Sequence, residues 1–172
     1  MKSKDRSIVK KILHVIIWAN SKIININKKI DKNFYANSKL TQKVNSQANS
    51  LDLKFKHGHA IIAEQLKKLD KSINNNNNIY SINSEIERLI LRTQKQFEKI
   101  IVLLEANIAY TEIFSQHFQA DSSSGSDDKW SKWAAEKNEV SKKHHQLLQV
   151  NLKSYEKLAS EFKKILEKSN KK

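Results

Sequence analysis

The side chains that most often do chemistry are present in this chain, but their spacing works against it. His57 and His59 lie two residues apart and His144 and His145 are adjacent, so on a helix each pair diverges. A helical metal pair needs i, i+4 spacing on one face. There is no cysteine, which removes thiol nucleophiles, disulfides and cysteine-ligated zinc together. Carboxylates are scattered among lysines and arginines, as in "SEIERLILRTQKQFEKI" from Ser84 to Ile100. That pattern supports a helix surface rather than an acid/base pair. Only Gly58 and Gly125 are available as glycines, too few and too isolated for a phosphate-cradling loop. No G-x-S-x-G, H-E-x-x-H or EF-hand loop occurs. The expectation is a non-enzyme with no catalytic residue, no metal site and no cofactor.

Lysine is the residue type that stands out. The 172 residues carry 32 Lys/Arg against 18 Asp/Glu, a net charge of +14. Residues 1–56 hold 13 of the cations and three of the acids, so most of the excess sits in the N-terminal third. The partners of such a surface are phosphates, on lipid headgroups or on nucleic acid. Its centre is "VKKILHVIIWANSKIININKKI", Val9 to Ile30. Lys10, Lys11, Lys22, Lys28 and Lys29 flank Trp18 there, the composition of a helix lying in a membrane interface. These six residues are the candidate anion- and membrane-binding set. The longest apolar run, Ile12 to Ala19, has eight residues and contains His14, too short to span a bilayer. A signal peptide cleaved after about residue 21 is disfavoured, because the apolar phase continues unbroken through the cleavage point.

The elements that must position these residues are helical. Proline is absent and glycine nearly so, which leaves few built-in helix stops. With Val9 at heptad position a, the a series continues through Ile16, Ile23, Ile30, Asn37, Val44 and Leu51. The d series runs through Ile12, Ala19, Ile26, Asn33 and Leu40. A phase held for about six heptads predicts one long helix over 5–73, with "FKHGH" around Gly58 as an interruption or bend. Val9, Ile12, Ile16, Ile23, Ile26, Ile30 and Asn37 are the candidate oligomer seam, and Asn37 would fix its register. Leu13, Val15, Ile17 and Trp18 fall outside that seam and require a second contact surface.

Asn74–Asn78 predicts a loop over 74–83. Ser84 and Glu87 have capping-box spacing, and a second helix follows over 84–119. "ADSSSGSDD" predicts a loop over 120–128, and a third helix runs over 129–167. The fold class is therefore all-α: one domain, 1–172, built as an elongated three-helix antiparallel bundle or coiled coil with a long first helix.

"AEQLKKLDKS" (Ala63 to Ser72) is similar to the middle of sorting-nexin BAR helices. The spacing of Trp130, His144 and Phe162 in "W…HHQLLQVNLKSYEKLASEFKKIL" resembles that of F-BAR helices. The likeness to BAR-type membrane-binding domains spans about residues 50–168. It implies a crescent dimer on anionic membranes, and it transfers no binding residue, since the family has no invariant one.

The combined expectation is a helical scaffold that self-associates as a dimer or higher oligomer and binds an anionic membrane surface. A helical adaptor or secreted effector that binds a protein partner is the alternative, with nucleic-acid binding behind it. Localisation is cytoplasmic or peripheral to a membrane, with secretion left open.

Overall fold

The computed structural model describes residues 3–34, 39–75, 84–122 and 129–170, and all but Asn75 of these are helical. The side chains described do not include those of 26–45. The helices are α1 (Ser3–Phe34), α2 (Lys39–Asn74), α3 (Ser84–Ser122) and α4 (Lys129–Asn170). At about 1.5 Å rise per residue they span roughly 48 to 63 Å, so the bundle is elongated. No strand occurs among the described residues.

The all-α bundle is as the sequence implies, but it has four helices rather than three. The expected helix over 5–73 is two helices, and α2 runs back along α1: Gly58 lies beside Val15 and Trp18. The heptad phase passes through this reversal because period reports which face is buried, not the direction of the chain. Asn37, the proposed register-setting residue, lies outside the described residues. The boundaries at Ser84 and Lys129 match the sequence reading, whereas α3 continues to Ser122, beyond 119.

Helix pairing follows from the cross-contacts. Phe97 meets Phe162 (ring centroids 5.8 Å apart) and Ser141 meets Thr111, so α3 and α4 are antiparallel. Asp52 meets Asn151, Phe55 meets Tyr155 and Asp70 meets Lys168, so α2 and α4 are parallel. Arg6 and Lys10 adjoin Arg88 and Arg92, and Asn20 bonds Gln96, so α1 and α3 are parallel as well. Among the described residues the backbones of α1 and α4 stay more than 8 Å apart (Cα–Cα), as do those of α2 and α3, so these pairs face each other across the core. The fold is thus two antiparallel hairpins stacked face to face, with α1 on α3 and α2 on α4.

The core is apolar where α1 and α3 begin and α2 and α4 end. Val9, Ile12, Ile16 and Ile23 are fully buried there, packed with Ile62, Leu66, Leu69, Ile73, Phe97, Ile100, Leu104 and Phe162. These four residues of the expected oligomer seam are consumed inside one chain; the side chains of Ile26 and Ile30 are not among those described. Leu13 is buried too, and Val15 and Trp18 pack half-buried against the core, their second surface coming from α2 and α3.

Gly58 is no bend. It lies mid-helix in α2, where a Cβ would sit 2.9 Å from the Tyr155 hydroxyl and 3.6 Å from both Trp18 and Val15. Tyr155 is fully buried, donates to the Phe55 carbonyl (3.3 Å) and meets the Phe55 ring edge-on at 5.8 Å. A methyl at 58 therefore displaces a rigid, close-packed ring. Gly58→Ala gains about 0.5–1 kcal/mol of helix propensity against about 1–3 kcal/mol of overpacking. The expected outcome in chemical denaturation is a net loss of about 1–2 kcal/mol. Adding Tyr155→Phe, which deletes the clashing oxygen, recovers part of it, and the double-mutant cycle measures that coupling.

Candidate anion-binding face

α3 sorts its side chains by chemistry around the helix. Thr93, Phe97, Ile100, Leu104 and Thr111 point into the core. Thr93 and Thr111 are tolerated because their hydroxyls donate to the Leu89 and Ile108 carbonyls, both at 2.8 Å. On the outer surface Arg88, Arg92, Lys95 and Lys99 follow i, i+4, i+7, i+11 spacing and form one exposed cationic row. Glu87, Glu98, Glu105 and Glu112 take the opposite flank. Between the two flanks runs an apolar row: Leu91, Val102 and Ile113, 57–65% exposed and spaced by eleven residues, with exposed Ala106 and Ala109 among them.

The cationic flank of α3 faces α1. Arg6, Lys10, Arg88, Leu89 and Arg92 line a pocket of about 160 Å³ between the starts of these two helices. No carboxylate lines it, and among the described residues no acidic side chain forms an ion pair with Lys10, Arg88 or Arg92. Farther along, Asn20 holds the two helices in register by donating to Gln96 at its carbonyl (3.2 Å) and at Oε1 (3.0 Å).

The six sequence candidates do not form one cluster. Lys10 joins the α3 arginines. Lys11, Trp18 and Lys22 lie on the side of α1 that faces α2, with Lys11 close enough to Glu64 to help hold its carboxyl below the ordinary range, an effect due chiefly to the hydrogen bond from Lys68. The Lys22 ammonium lies 6.0 Å from the centroid of the Trp18 ring. That half-buried ring lines an open groove of about 720 Å³ with Ser46, Asn49, Ser50, Leu53, Lys54 and His57. The side chains of Lys28 and Lys29 lie outside those described. Arg88 and Arg92 were missed because they sit 78 and 82 residues along the chain from Lys10. Their only local signal is a like-charged i, i+4 pair, which costs rather than stabilises an isolated helix.

The histidines occupy separate environments. His57 is exposed, and His59 meets Tyr155 edge-on at 6.4 Å. His145 Nδ1 lies 3.0 Å from the Thr111 hydroxyl, whose proton is committed to Ile108, so Nδ1–H is the donor. His144 turns inward and is 6% exposed. Among the described residues no three His, Cys, Asp or Glu side chains group as a metal site would require. No described helix is long and apolar enough to cross a membrane. Comparison of the chain with protein-family models, with curated proteins and with solved structures finds no match.

His144 makes the fold sensitive to acid. Its removal from water, reinforced by the neighbouring His145, lowers its pKa from 6.5 to about 4. Above pH 6.5 the ring is neutral in both folded and unfolded chains and contributes no pH dependence. Below it the unfolded chain takes up a proton that the folded chain refuses, and stability falls until about pH 4. The loss amounts to about 3 kcal/mol at 1.36 kcal/mol per unit. In urea titrations across this window, His144→Leu is expected to show a visibly shallower decline.

Proposed function

We propose that this protein is a non-enzymatic helical scaffold that docks on an anionic membrane surface through its α1/α3 side. One observation carries the reading. Arg6, Lys10, Arg88, Arg92, Lys95 and Lys99 line one side of the bundle, and the exposed Leu91 and Val102 lie directly beside them. Cations beside exposed aliphatic side chains suit a lipid interface, where the cations meet headgroups and the aliphatics enter the acyl boundary. A basic side chain near an anionic surface contributes about 1 kcal/mol. Six together are enough for reversible, salt-sensitive attachment. Nucleic acid would use the charge but has no use for the aliphatic row. The membrane-facing element in this reading is α3, aided by the start of α1, rather than α1 with Trp18 at its centre. With Val9, Ile12, Ile16 and Ile23 inside the bundle, any self-association would use a surface other than the heptad seam.

Co-sedimentation with phosphatidylcholine vesicles, with and without phosphatidylserine, tests the proposal. Wild-type protein should pellet only with the anionic vesicles and be released by high salt, since exposed charges are screened over about 8 Å at physiological ionic strength. Arg92→Glu with Lys95→Glu should reduce pelleting at least ten-fold, with little change in melting temperature, because exposed charges contribute little to stability. Two single-tryptophan reporters locate the contact. A tryptophan introduced by Val102→Trp should shift to the blue on anionic vesicles, and native Trp18 should not move. A Trp18 shift without a Val102→Trp shift would return the interface to α1. Retention of nucleic acid in gel shifts without any vesicle binding would assign the face to nucleic acid. Binding to neither would leave the α3 apolar row for a protein partner, the helical-adaptor alternative.

A further inference from the structure

We infer that the exposed face of α3 is an interface with a second copy of this chain, the two α3 helices lying parallel and in register about a two-fold axis. This pairing is independent of the membrane reading, since it covers the face in water.

Among the described residues five large apolar side chains are more than half exposed, and three of them, Leu91, Val102 and Ile113, stand on α3. Leu53 and Val150 are single residues on α2 and α4. Eleven residues fall within about 20° of three full helical turns, so the α3 row runs almost straight along its helix for about 33 Å. Exposed Ala106 and Ala109 beside it leave room for a second backbone to approach. Single exposed apolar residues are ordinary on a protein surface, whereas a straight row of them has the shape of a helix-pairing seam.

The charges beside the row select the occupant and its direction. Glu87 and Glu98 stand on one flank, and Arg88, Arg92, Lys95 and Lys99 stand on the other over the same stretch of helix. Among the described residues none of these six forms an ion pair, so both flanks are open to a partner. A two-fold axis parallel to the helices turns the acidic flank of one copy onto the basic flank of the other at the same level. Glu87 then stands opposite Arg88 and Arg92 of the second copy, and Glu98 opposite its Lys95 and Lys99. An antiparallel pair centred on Val102 loses these matches and sets Glu98 against Glu105. Edge charges of this kind set the partner and orientation of paired helices more than their affinity, which comes from the apolar row. The pair also engages the acidic flank, which docking on lipid leaves unused.

Sedimentation velocity without vesicles should show a monomer–dimer equilibrium with a dissociation constant on the order of tens of micromolar, the scale of a small interface. Val102→Glu should weaken the dimer about ten-fold or more, with the melting temperature nearly unchanged, because position 102 is exposed in the single chain. Direction is read by cross-linking. The chain has no cysteine, so Leu91→Cys and Ile113→Cys each introduce a unique thiol. In a parallel pair each of these positions meets its own copy, within the Cα separation of about 7 Å that a disulfide can bridge. With oxidised glutathione each variant alone should form a covalent dimer, and the control Val150→Cys, on exposed α4, should not. A chain that stays monomeric at about ten-fold higher concentration, a dimer that Val102→Glu leaves intact, or cross-linking only when the Leu91→Cys and Ile113→Cys chains are mixed overturns the parallel pair. The cross-linked Leu91→Cys dimer also hides Leu91 and Val102, so it should lose pelleting with phosphatidylserine vesicles and recover it on reduction. Undiminished pelleting of that dimer keeps the pair and overturns α3 as the membrane-facing element.

Discussion

Tyr155 over Gly58 is the contact on which the arrangement of this bundle depends. A tyrosine ring fully buried between parallel helices needs a partner helix that offers no side chain at the point of closest approach. Glycine provides that, and its neighbours Val15 and Trp18 bring α1 into the same junction. The hydroxyl then finds the Phe55 carbonyl, so the one polar atom of the ring is not stranded. Three of the four helices therefore meet at one residue with no side chain. The parallel alignment of α2 with α4, and through it the stacking of the two hairpins, is held at this junction.

The α2/α4 contact also changes character along its length. Toward the ends of α2 and α4 it is hydrocarbon, with Leu66, Leu69, Leu158 and Phe162 buried. On the other side of Tyr155, buried Asn151 donates to Asp52 (2.8 Å) and to the Leu147 carbonyl (2.8 Å), and Lys56 closes on the second Asp52 oxygen at 2.7 Å. Still farther toward the start of α4 the buried positions include Ser141, Asn138 and Lys137 beside the apolar Ala134 and Val140. Ser141 donates to the Thr111 carbonyl, Asn138 accepts from Ser115, and the Lys137 ammonium lies 5.5 Å from the centroid of the Trp133 ring. The first end is thus chiefly hydrocarbon, whereas the other mixes apolar burial with directed polar contacts. His144 lies at this second end, and its burial there, with His145 beside it, is what lowers its pKa.

Charge placement follows from the same stacking. Parallel docking of α1 on α3 puts the first turns of both helices at one end and turns the cationic flank of α3 toward the cations of α1. An antiparallel pairing of these helices would have separated Lys10 from Arg88 and Arg92 by much of the bundle length. The acidic flank of α3, with Glu98, Glu105 and Glu112, lies on the other side of the exposed apolar row. The modest net charge of this helix therefore conceals two flanks of opposite sign.

The sequence by itself determined that the chain is helical, since near-absence of proline and glycine and a sustained 3.5-residue period admit little else. The starts of α3 and α4 were legible as well, because the Ser84–Glu87 spacing and the turn-forming run Ala120–Asp128 are local signals read from local chemistry. The sequence also identified Val9, Ile12, Ile16 and Ile23 as buried positions, since burial repeats with the helical period. The tertiary structure alone decided what those residues are buried against. The heptad phase runs on into Leu51 as though one helix continued, yet α2 reverses, because a periodic stripe is satisfied equally by a second chain or by a returning segment of the same one. Gly58 was legible as an exception but not as a contact, since the atom that fills its space belongs to Tyr155, almost a hundred residues later. The union of Lys10 with Arg88 and Arg92 was likewise decided only by folding, for no spacing rule reaches across two helix connections.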